Sequence, residues 1–365
     1  MKINLIDPGL ERKAGHHHDL DLRIINQLLT QNHEVILYSH KDYVISDDID
    51  HIKVIPLFSV NPYDSFKEDP FTGELDEFIY LSNIYTQELN QIGHADLILA
   101  PTLFSFLLNA LALMKSKKPI AGCVHFGPDF LNISNGKLRW RVAFRNAADN
   151  NLSLNIGGLE KVTAHDYMPI TMNKKFHLFP LPYDGSPIAR EKKELKTIGF
   201  FGHQRGEKGV KLFEALIKYL INEKKNIILH DSGCNLSFNH PMVKNINFVK
   251  NISVEIAKCD LVLLPYNHDE YKHKGSGILW ESLATGIPTI VPSDCTLAEH
   301  IKDTGAGITF SDSKNIESIL DALKRAELSF EHIAQNSFIA SQNWHKTHGI
   351  ENFIADFLNP DRFYH

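Results

Sequence analysis

Short runs rich in isoleucine, valine and leucine alternate with helical patterns along the chain, and this alternation limits the fold more than any other feature. In the first half the strand-like runs are residues 2–7, 33–39, 52–58, 96–101, 119–126, 152–156 and 177–180, and the helical patterns are 20–30, 75–91, 104–115 and 137–148. In the second half the runs are 197–201, 226–230, 261–265 and 288–291, and the helices are 209–222, 253–257, 278–285 and 315–325. Apolar strands separated by helices form parallel sheets that are covered on both faces. The sequence therefore predicts an α/β protein built from parallel sheets.

A turn-rich and then charged segment, residues 181–195, separates the two series of strands. It lacks apolar periodicity, as expected of a linker between domains. We therefore predict two Rossmann-like domains, residues 1–182 and 183–343, followed by a helix at 344–360. Ligands of such sheets bind at the carboxyl ends of the strands, so site residues are expected there.

The composition excludes several classes of protein. The 38 basic and 44 acidic residues give a net charge of −6, which argues against a basic surface for nucleic acid. The sequence has no run of 18 apolar residues and predicts no membrane-spanning helix. The opening residues MKINLIDPG fit a strand and a turn rather than a signal peptide, and we expect a cytoplasmic protein.

One candidate site follows the predicted strand 197–201, where the chain reads GHQRGEKG (202–209). Gly202 and Gly209 allow close approach of the backbone to a ligand, and Arg205 and Lys208 bring positive charge to it. A helix begins just afterwards, and basic side chains at a helix N-terminus form an anion site. An ordinary solvated turn is the alternative interpretation.

A second candidate site is SGILWESLATG (276–286), which follows the strand 261–265. Ser276 is a suitable N-cap, and the first amides of the helix, at Gly277, Ile278 and Leu279, would point at an anion. Glu281 lies about one turn further in, where a buried carboxylate needs hydrogen-bond donors. Two hydroxyl groups, such as those of a nucleotide ribose, would supply them. The alternatives are that Glu281 reaches solvent or caps a neighbouring loop.

Together these segments resemble the C-terminal domain of GT-B glycosyltransferases, especially the retaining glycosyltransferase family 4. The ordered set is the loop at 202–209, DLVLLP (260–265), ESLATGIPTIVPS (281–293) and Glu299 at a helix start. The resemblance covers residues 195–310 well and the first half weakly, through Gly15, NHEV (32–35) and His125. It implies the GT-B architecture, in which two Rossmann-like parallel-sheet domains face each other across a cleft.

The resemblance also implies roles for individual residues. Lys208 matches a lysine that contacts the donor diphosphate, Glu281 matches the carboxylate that holds the ribose, and His125 matches a histidine near the transferred sugar. His203 stands where the family has arginine, and Arg205 is expected to supply that charge. The residues predicted to be catalytic are thus His125, Arg205 and Lys208, and those predicted to bind the donor are Gly15, Gly202, His203, Lys274, Ser276, Gly277, Ile278 and Glu281.

One acidic residue of the family pattern has no direct counterpart. The position of the family's earlier glutamate is occupied by His273, and Glu270 lies in an enlarged loop just before it. The sequence does not decide whether His273 or Glu270 replaces that glutamate, and so it does not decide which residue contacts the donor sugar.

The activity implied is transfer of a sugar from a nucleoside-diphosphate sugar to a glycan, a glycoconjugate or a lipid-linked acceptor. The resemblance implies retention of the anomeric configuration, and protein cations would stabilise the leaving diphosphate without a metal or other cofactor. The alternatives are a nucleotide-sugar 2-epimerase of the same fold and a non-catalytic, two-lobed sugar-binding protein. A dinucleotide oxidoreductase is disfavoured because no Gly-x-Gly-x-x-Gly follows the first strand.

Three features of the first half and the tail complete the expectations. His16 and His17 are assigned to the acceptor side, since adjacent histidines diverge and rarely bind one metal ion together. The cations of helix 137–148, Lys137, Arg141 and Arg145, share one face that suits either solvent or the inner surface of an anionic membrane. In GT-B proteins the last helix packs back on the N-terminal, acceptor-side domain, which we expect of residues 344–360.

Overall fold

The computed structural model describes residues 1–13, 15–44, 52–64, 77–129, 135–172, 175–187, 194–234, 236–249 and 251–365. The chain forms two compact units, one of Met1–Pro182 with Ile350–His365 and one of Tyr183–Gly349. The charged half of the expected linker, residues 188–193, and the first two residues of the predicted helix 75–91 lie outside the described ranges.

Unit 1 is a parallel sheet with helices. Its strands are β1 (Lys2–Asp7), β2 (Glu34–His40), β3 (Lys53–Phe58), β4 (Leu97–Ala100), β5 (Ile120–Val124), β6 (Leu154–Gly158) and β7 (His177–Leu178), and its helices are α1 (His16–Thr30), α2 (Glu77–Leu89), α3 (Ser105–Leu113), α4 (Gly136–Asp149), α5 (Lys161–Tyr167) and α12 (Ile350–Leu358). The strand order is β3-β2-β1-β4-β5-β6-β7, and neighbouring strands are parallel. Strands β4, β5 and β6 are buried throughout, as expected when both faces of a sheet are covered.

Unit 2 repeats this plan. Its strands are β8 (Thr197–Phe200), β9 (Asn226–His230), β10 (Val243–Ile246), β11 (Leu261–Leu263), β12 (Thr289–Pro292) and β13 (Gly307–Phe310), and its helices are α6 (Val210–Asn222), α7 (Ile252–Ile256), α8 (Gly277–Thr285), α9 (Thr296–Thr304), α10 (Ile316–Leu328) and α11 (Phe330–Thr347). The order β10-β9-β8-β11-β12-β13 is again parallel throughout. The predicted α/β class with two Rossmann-like parallel sheets is confirmed.

Some element boundaries differ from the prediction for local reasons. Helix α1 begins at His16, so His16 and His17 occupy its first turn rather than a loop. Strand β6 begins only at Leu154, because the Leu152 amide still bonds to the Ala147 carbonyl and closes α4. The helix expected at 344–360 is interrupted at Gly349, whose φ of +92° ends α11 before α12 begins.

In both sheets the chain adds strands first on one side of the first strand and then on the other, so the strand order reverses there. In unit 1, β1 has β2 on one side and β4 on the other, and in unit 2, β8 lies between β9 and β11. Such a reversal leaves a crevice at the carboxyl ends of the two diverging strands, which is where open α/β sheets bind ligands. The residues just after β1, β4 and β5, and after β8 and β11, are therefore the ones to examine.

The end of the chain belongs to unit 1. Phe353, Ile354 and Phe357 of α12 are fully buried, and α12 packs on α1 and β5. The Asn155 side chain in β6 donates to the Asp356 and Phe357 carbonyls, at 2.9 Å each. In the ranges that the structure describes, no helix is long and apolar enough to cross a membrane.

Candidate functional site

The loop after β8 is shaped by two glycines that no other residue could replace without strain. Gly202 has φ of +105°, and a Cβ there would lie 2.6 Å from Lys208 Nζ. Gly209 has φ of +76°, and a Cβ there would lie 2.1 Å from the Pro265 carbonyl oxygen. The loop is thus pressed against the end of β11, and its lysine folds back onto its first residue.

Two side chains at the end of β9 hold this loop in place. The Gly202 amide donates to His230 Nδ1 at 3.1 Å, and the Gln204 amide donates to Asp231 Oδ1 at 2.9 Å. Asp231 is 1% exposed and also accepts the Gly233 and Leu236 amides. A buried carboxylate satisfied by backbone N–H groups is stable and rigid. Neither residue was predicted as a site residue, although His230 ends a buried strand and Asp231 directly follows it, and that position is itself a signal.

Lys208 is the best placed cation of the site. It lies in a 3₁₀ turn (Gly206–Lys208), and its Nζ stands 5.3 Å from the centre of the Tyr266 ring. Burial, with a smaller contribution from the Arg205 guanidinium, lowers the pKa of Lys208 to about 8. An ammonium in this environment gains strongly from a bound anion.

Lys274 forms a second, similar arrangement beside it. Its Nζ is 5.0 Å from the centre of the Tyr271 ring, and the rings of Tyr271 and Tyr266 are stacked at 4.5 Å. Burial lowers the pKa of Lys274, and the charges of Arg205 and Lys208 lower it further. These like charges therefore act on one another, which a bound anion would relieve. The two tyrosines were not predicted.

The other predicted members of this loop are less enclosed. The Arg205 side chain is 59% exposed and pairs with Glu207 at 3.5 Å. The His203 side chain makes no hydrogen bond or ion pair with any residue that the structure describes, and His273 and Glu270 are both exposed. The Glu270 charge nevertheless acts on Lys274 and partly offsets the lowering of its pKa.

The start of α8 completes the cation cluster. Ser276 Oγ accepts the Leu279 amide at 3.4 Å, which confirms Ser276 as the N-cap. The Leu279 amide, expected to face an anion, is thus used by the cap, and the amides of Gly277 and Ile278 remain as the first-turn donors that lack a carbonyl four residues back. Ile278 Cγ1 lies 3.7 Å from the place of a Cβ on Gly202, so this turn and the loop after β8 are adjacent.

Glu281 is 2% exposed, which excludes the interpretation that it simply reaches solvent. One of its carboxylate oxygens accepts the hydroxyl of Ser253, at the N-terminus of α7. A carboxylate has about four acceptor positions, so the bond to Ser253 does not by itself exclude further hydroxyl donors. Binding of a ribose stays a prediction, and Ser253 is a partner that the sequence did not indicate.

In unit 1, His125 follows β5 and its imidazole is hydrogen-bonded to that of His16. His125 Nε2 lies 2.7 Å from the Pro101 carbonyl oxygen, and His16 Nε2 lies 3.1 Å from His125 Nδ1. Because a carbonyl can only accept, His125 carries its proton on Nε2 and accepts from His16 at Nδ1. Burial lowers the pKa of His125 to about 4, so it is neutral near pH 7. As a neutral group it can accept or donate a hydrogen bond but adds no positive charge.

His17 is held by a buried carboxylate at the end of β1. His17 Nδ1 donates to Asp7 Oδ2 at 2.6 Å, and its Nε2 lies 3.0 Å from the Tyr63 hydroxyl. The ring rests on Gly9, where a Cβ would come within 2.5 Å of it. Burial and the neighbouring Asp7 charge raise the pKa of Asp21 well above its ordinary value. A fixed imidazole with its Nε2 lone pair toward hydroxyl groups is suited to accept a proton.

Gly15 precedes α1 and is required by its backbone. Its φ of +98° suits glycine alone, while the space around a Cβ there is open. His16, His17 and His18 then turn to different partners, which are His125, Asp7 and Asp19 respectively. They therefore do not form one ligand set.

Among the described residues, possible ligand atoms of Glu11, His40 and Asp42 lie within 4.8 Å of one another. The Glu11 carboxylate also accepts a hydrogen bond from Asn61, and His40 Nδ1 accepts one from the Asp42 amide.

Helix α4 separates two surfaces of unit 1. Its outer side exposes Lys137, Arg141 and Arg145 together with Leu138, which is 55% exposed, and acids at 129 and 149 lie 3.6 Å from the first and last of these cations. Its inner side borders a cavity of about 40 Å³, lined by Arg139 and by mainly apolar side chains, Leu103, Phe104, Phe106, Phe126, Trp140 and Tyr167.

Comparison with known proteins agrees with this architecture. No protein-family model matches the sequence, and no curated protein matches it. Among solved structures, the sucrose-phosphate synthase of Thermosynechococcus elongatus is 12% identical with a TM-score of 0.67, over 99% of this chain and 97% of that one. WaaG, a glycosyltransferase involved in lipopolysaccharide biosynthesis, is 14% identical with a TM-score of 0.63, over 98% and 100%. The spinosyn rhamnosyltransferase SpnG, complexed with thymidine diphosphate, is 12% identical with a TM-score of 0.60, over 98% and 100%. The chain therefore has the GT-B fold of glycosyltransferases.

Proposed function

We propose that the protein is a glycosyltransferase that moves a sugar from a nucleoside-diphosphate sugar to the hydroxyl group of an acceptor. The fold supports this assignment, because the similar structures named above include glycosyltransferases over almost their whole length. One of them was solved with thymidine diphosphate, which is the type of leaving group that the proposal requires here.

The observation that carries the proposal is the cluster of cations at the carboxyl ends of β8 and β11. Lys208 and Lys274 act on each other and on Arg205, and the first turn of α8 adds two amide donors beside them. The cluster stands at the reversal point of its sheet, with the buried Glu281 one turn deeper along α8. This is the arrangement that a diphosphate followed by a ribose would need.

The reaction follows from that charge. The acceptor oxygen bonds to the anomeric carbon, the bond from that carbon to the diphosphate oxygen breaks, and negative charge grows on the leaving group. The proton of the acceptor hydroxyl passes to His17 or to the leaving diphosphate. Lys208, Lys274 and Arg205 stabilise it, so the proposal assigns no step to a metal ion and expects turnover in the presence of a chelator.

Unit 1 supplies the acceptor side of the proposal. His17, held at Nδ1 by Asp7, is assigned to the acceptor hydroxyl, which would replace the Tyr63 hydroxyl at Nε2, with His16 and His125 beside it. The apolar cavity and the exposed cations of α4 favour a lipid-linked acceptor at an anionic membrane among the glycans and glycoconjugates that the fold admits. Retention of the anomeric configuration is carried by the resemblance alone, and nuclear magnetic resonance of the product would test it.

The deciding experiment compares Lys208→Ala with the parent. A thermal-shift screen of nucleoside-diphosphate sugars first identifies the donor, since a ligand at 100 times its Kd stabilises by about 2.7 kcal/mol. Turnover of that donor should then fall by roughly 10²–10³-fold in Lys208→Ala, because the charge that lysine meets grows in the transition state. Affinity for the intact donor should fall by less. Lys211→Ala, an exposed lysine of α6 in the same unit, is the matched control.

The other outcomes separate the alternatives. Equal losses of turnover and affinity would mean that Lys208 binds both states alike, and unchanged turnover would remove this loop from the site. Donor binding without release of nucleoside diphosphate would indicate a sugar-binding protein. Formation of an epimeric sugar would indicate a 2-epimerase.

A further inference from the structure

The stacked tyrosines of unit 2 have no part in the chemistry described so far. Tyr266 and Tyr271 are 1% and 2% exposed, and their ring centres are 4.5 Å apart at an interplanar angle of 28°. Their position is fixed from several sides. The Tyr271 carbonyl accepts the Thr296 amide at the start of α9, and the Asn267 amide between them donates to the Glu207 carbonyl at 2.8 Å. The two stacked rings are therefore held in place after the end of β11.

Each ring carries one lysine. Lys208 Nζ stands over Tyr266 and Lys274 Nζ over Tyr271, at 5.3 and 5.0 Å from the ring centres. These distances are within the range of cation–π attraction, which acts on the negative face of the ring and is stronger where water is excluded. Burial also raises the pKa of both phenols, so neither ring turns into a phenolate near neutral pH.

Without such a support the two lysines would have a reason to separate. Lysine is a flexible cation with a large side-chain entropy, and each ammonium here is repelled by the other and by Arg205. The nearby acids are Glu207, Asp231 and Glu270. Of these, Asp231 is held by backbone amides and Glu207 by Arg205. These carboxylates attract the ammoniums as well. The ring faces add an attraction of their own, at a fixed place under each ammonium, and leave its N–H donors available to an anion.

We propose that Tyr266 and Tyr271 are positioning residues, whose stacked rings hold Lys208 and Lys274 at a fixed spacing for the two phosphates of a diphosphate. The identity of the substrate rests on the proposed function, whereas the positioning role itself concerns only the binding of a diphosphate. It explains why two aromatic residues are buried after β11, beside the lysines that follow β8 and β11.

The test uses inorganic pyrophosphate, whose affinity is measured by calorimetry at constant pH and does not depend on knowing the nucleotide or the sugar. Tyr271→Leu removes the ring face and should weaken pyrophosphate binding about 5- to 10-fold, within the range of a partly desolvated cation–π contact. Tyr271→Phe keeps the face and should restore the parent affinity. Phe248→Leu, at a 73% exposed aromatic residue of the same unit, is the matched control and should change nothing.

A double-mutant cycle separates positioning from general structural support. If Tyr271 acts through Lys274, then Tyr271→Leu should have little further effect once Lys274→Ala has been made. The same holds for Tyr266→Leu in Lys208→Ala. Additive losses in both cycles, or a Phe variant as weak as the Leu variant, would overturn the proposal.

A series of fluorinated phenylalanines at position 271 covers the case in which Leu variants fold poorly. Fluorine withdraws charge from the ring face with little change of shape, so pyrophosphate affinity should fall stepwise with each added fluorine. An affinity independent of fluorination would also overturn the proposal. Intact coupling without turnover of any nucleotide sugar would instead leave the positioning role standing and sink the proposed function.

Discussion

At the scale of residues, Lys208 combines a predicted position with an unpredicted environment. Its place between glycines after an apolar strand is visible in the sequence, because strand ends and glycine spacing are local properties. The Tyr266 ring beneath it and the Gly202 backbone against its Nζ come from segments about 60 and 6 residues away, and only the fold brings them together. The lowered pKa results from that assembly, and no local pattern encodes it.

This pKa makes a prediction for the pH dependence of anion binding. Only the ammonium form binds a diphosphate well, and Lys208 loses its proton as the pH rises through about 8 rather than through the ordinary value near 10.4. Between about pH 7 and pH 9 the affinity for pyrophosphate should therefore fall roughly ten-fold relative to Lys208→Arg, which keeps its charge. Measuring both proteins cancels the titration of pyrophosphate itself. A constant ratio across this range would show that Lys208 is not the titrating contact.

Asp7 and His17 show the opposite balance. The sequence analysis assigns His17 to the acceptor side, but its buried partner Asp7 was not expected. Asp231 was missed in the same way. Asp7 is the last residue of a buried strand and Asp231 directly follows one, so an acidic residue at the carboxyl end of a strand is a candidate whenever a parallel sheet is predicted.

At the scale of elements, the strands that were predicted are those with continuous apolar runs. The structure adds β10 (VKNI), in which the two central residues are exposed, and β13 (GITF), which has four residues and begins with glycine. Helices α5, α9 and α11 were likewise not given bounds. Edge position explains both strands, since an outermost strand is covered less and needs no apolar run.

The turn between β8 and α6 offers a prediction with a control inside the same segment. Gly209→Ala places a left-handed backbone on a residue with a Cβ, which costs about 1–2 kcal/mol, and drives that Cβ into the Pro265 carbonyl. We expect a lower free energy of unfolding for unit 2 and weaker pyrophosphate binding. In Gly206→Ala the new Cβ would have no atom beyond its chain neighbours within 4 Å, and φ is not left-handed there. This variant should change neither quantity. Denaturant unfolding followed by Trp280 and Trp344 fluorescence measures the first effect, and equal behaviour of the two variants would contradict the assignment of Gly209.

At the scale of the whole molecule, the chain leaves unit 1 at Pro182 and returns to it at Ile350. The segment between forms a unit with its own sheet and core, so unit 1 is completed only by the last residues of the chain. Periodicity predicts the last helix from its phenylalanines, but the surface on which a helix packs is a long-range property. That surface includes Asn155, a polar residue fully buried in β6 whose Nδ2 donates to two carbonyls of α12.

Phe357→Ala tests this dependence of unit 1 on the tail. The ring is fully buried against Phe179, with ring centres 4.7 Å apart, and truncating a buried phenylalanine costs about 3–5 kcal/mol. The loss should fall on unit 1, so amide hydrogens of β6 should exchange faster while those of β11 in unit 2 are unchanged. Glu351→Ala, at an exposed position of the same helix, should leave both strands protected. A fragment of residues 1–182 should for the same reason unfold with little cooperativity and be stabilised by a peptide of residues 350–365. Full protection of β6 in Phe357→Ala, or a fragment as stable with the peptide as without it, would show that unit 1 does not need its C-terminal helix.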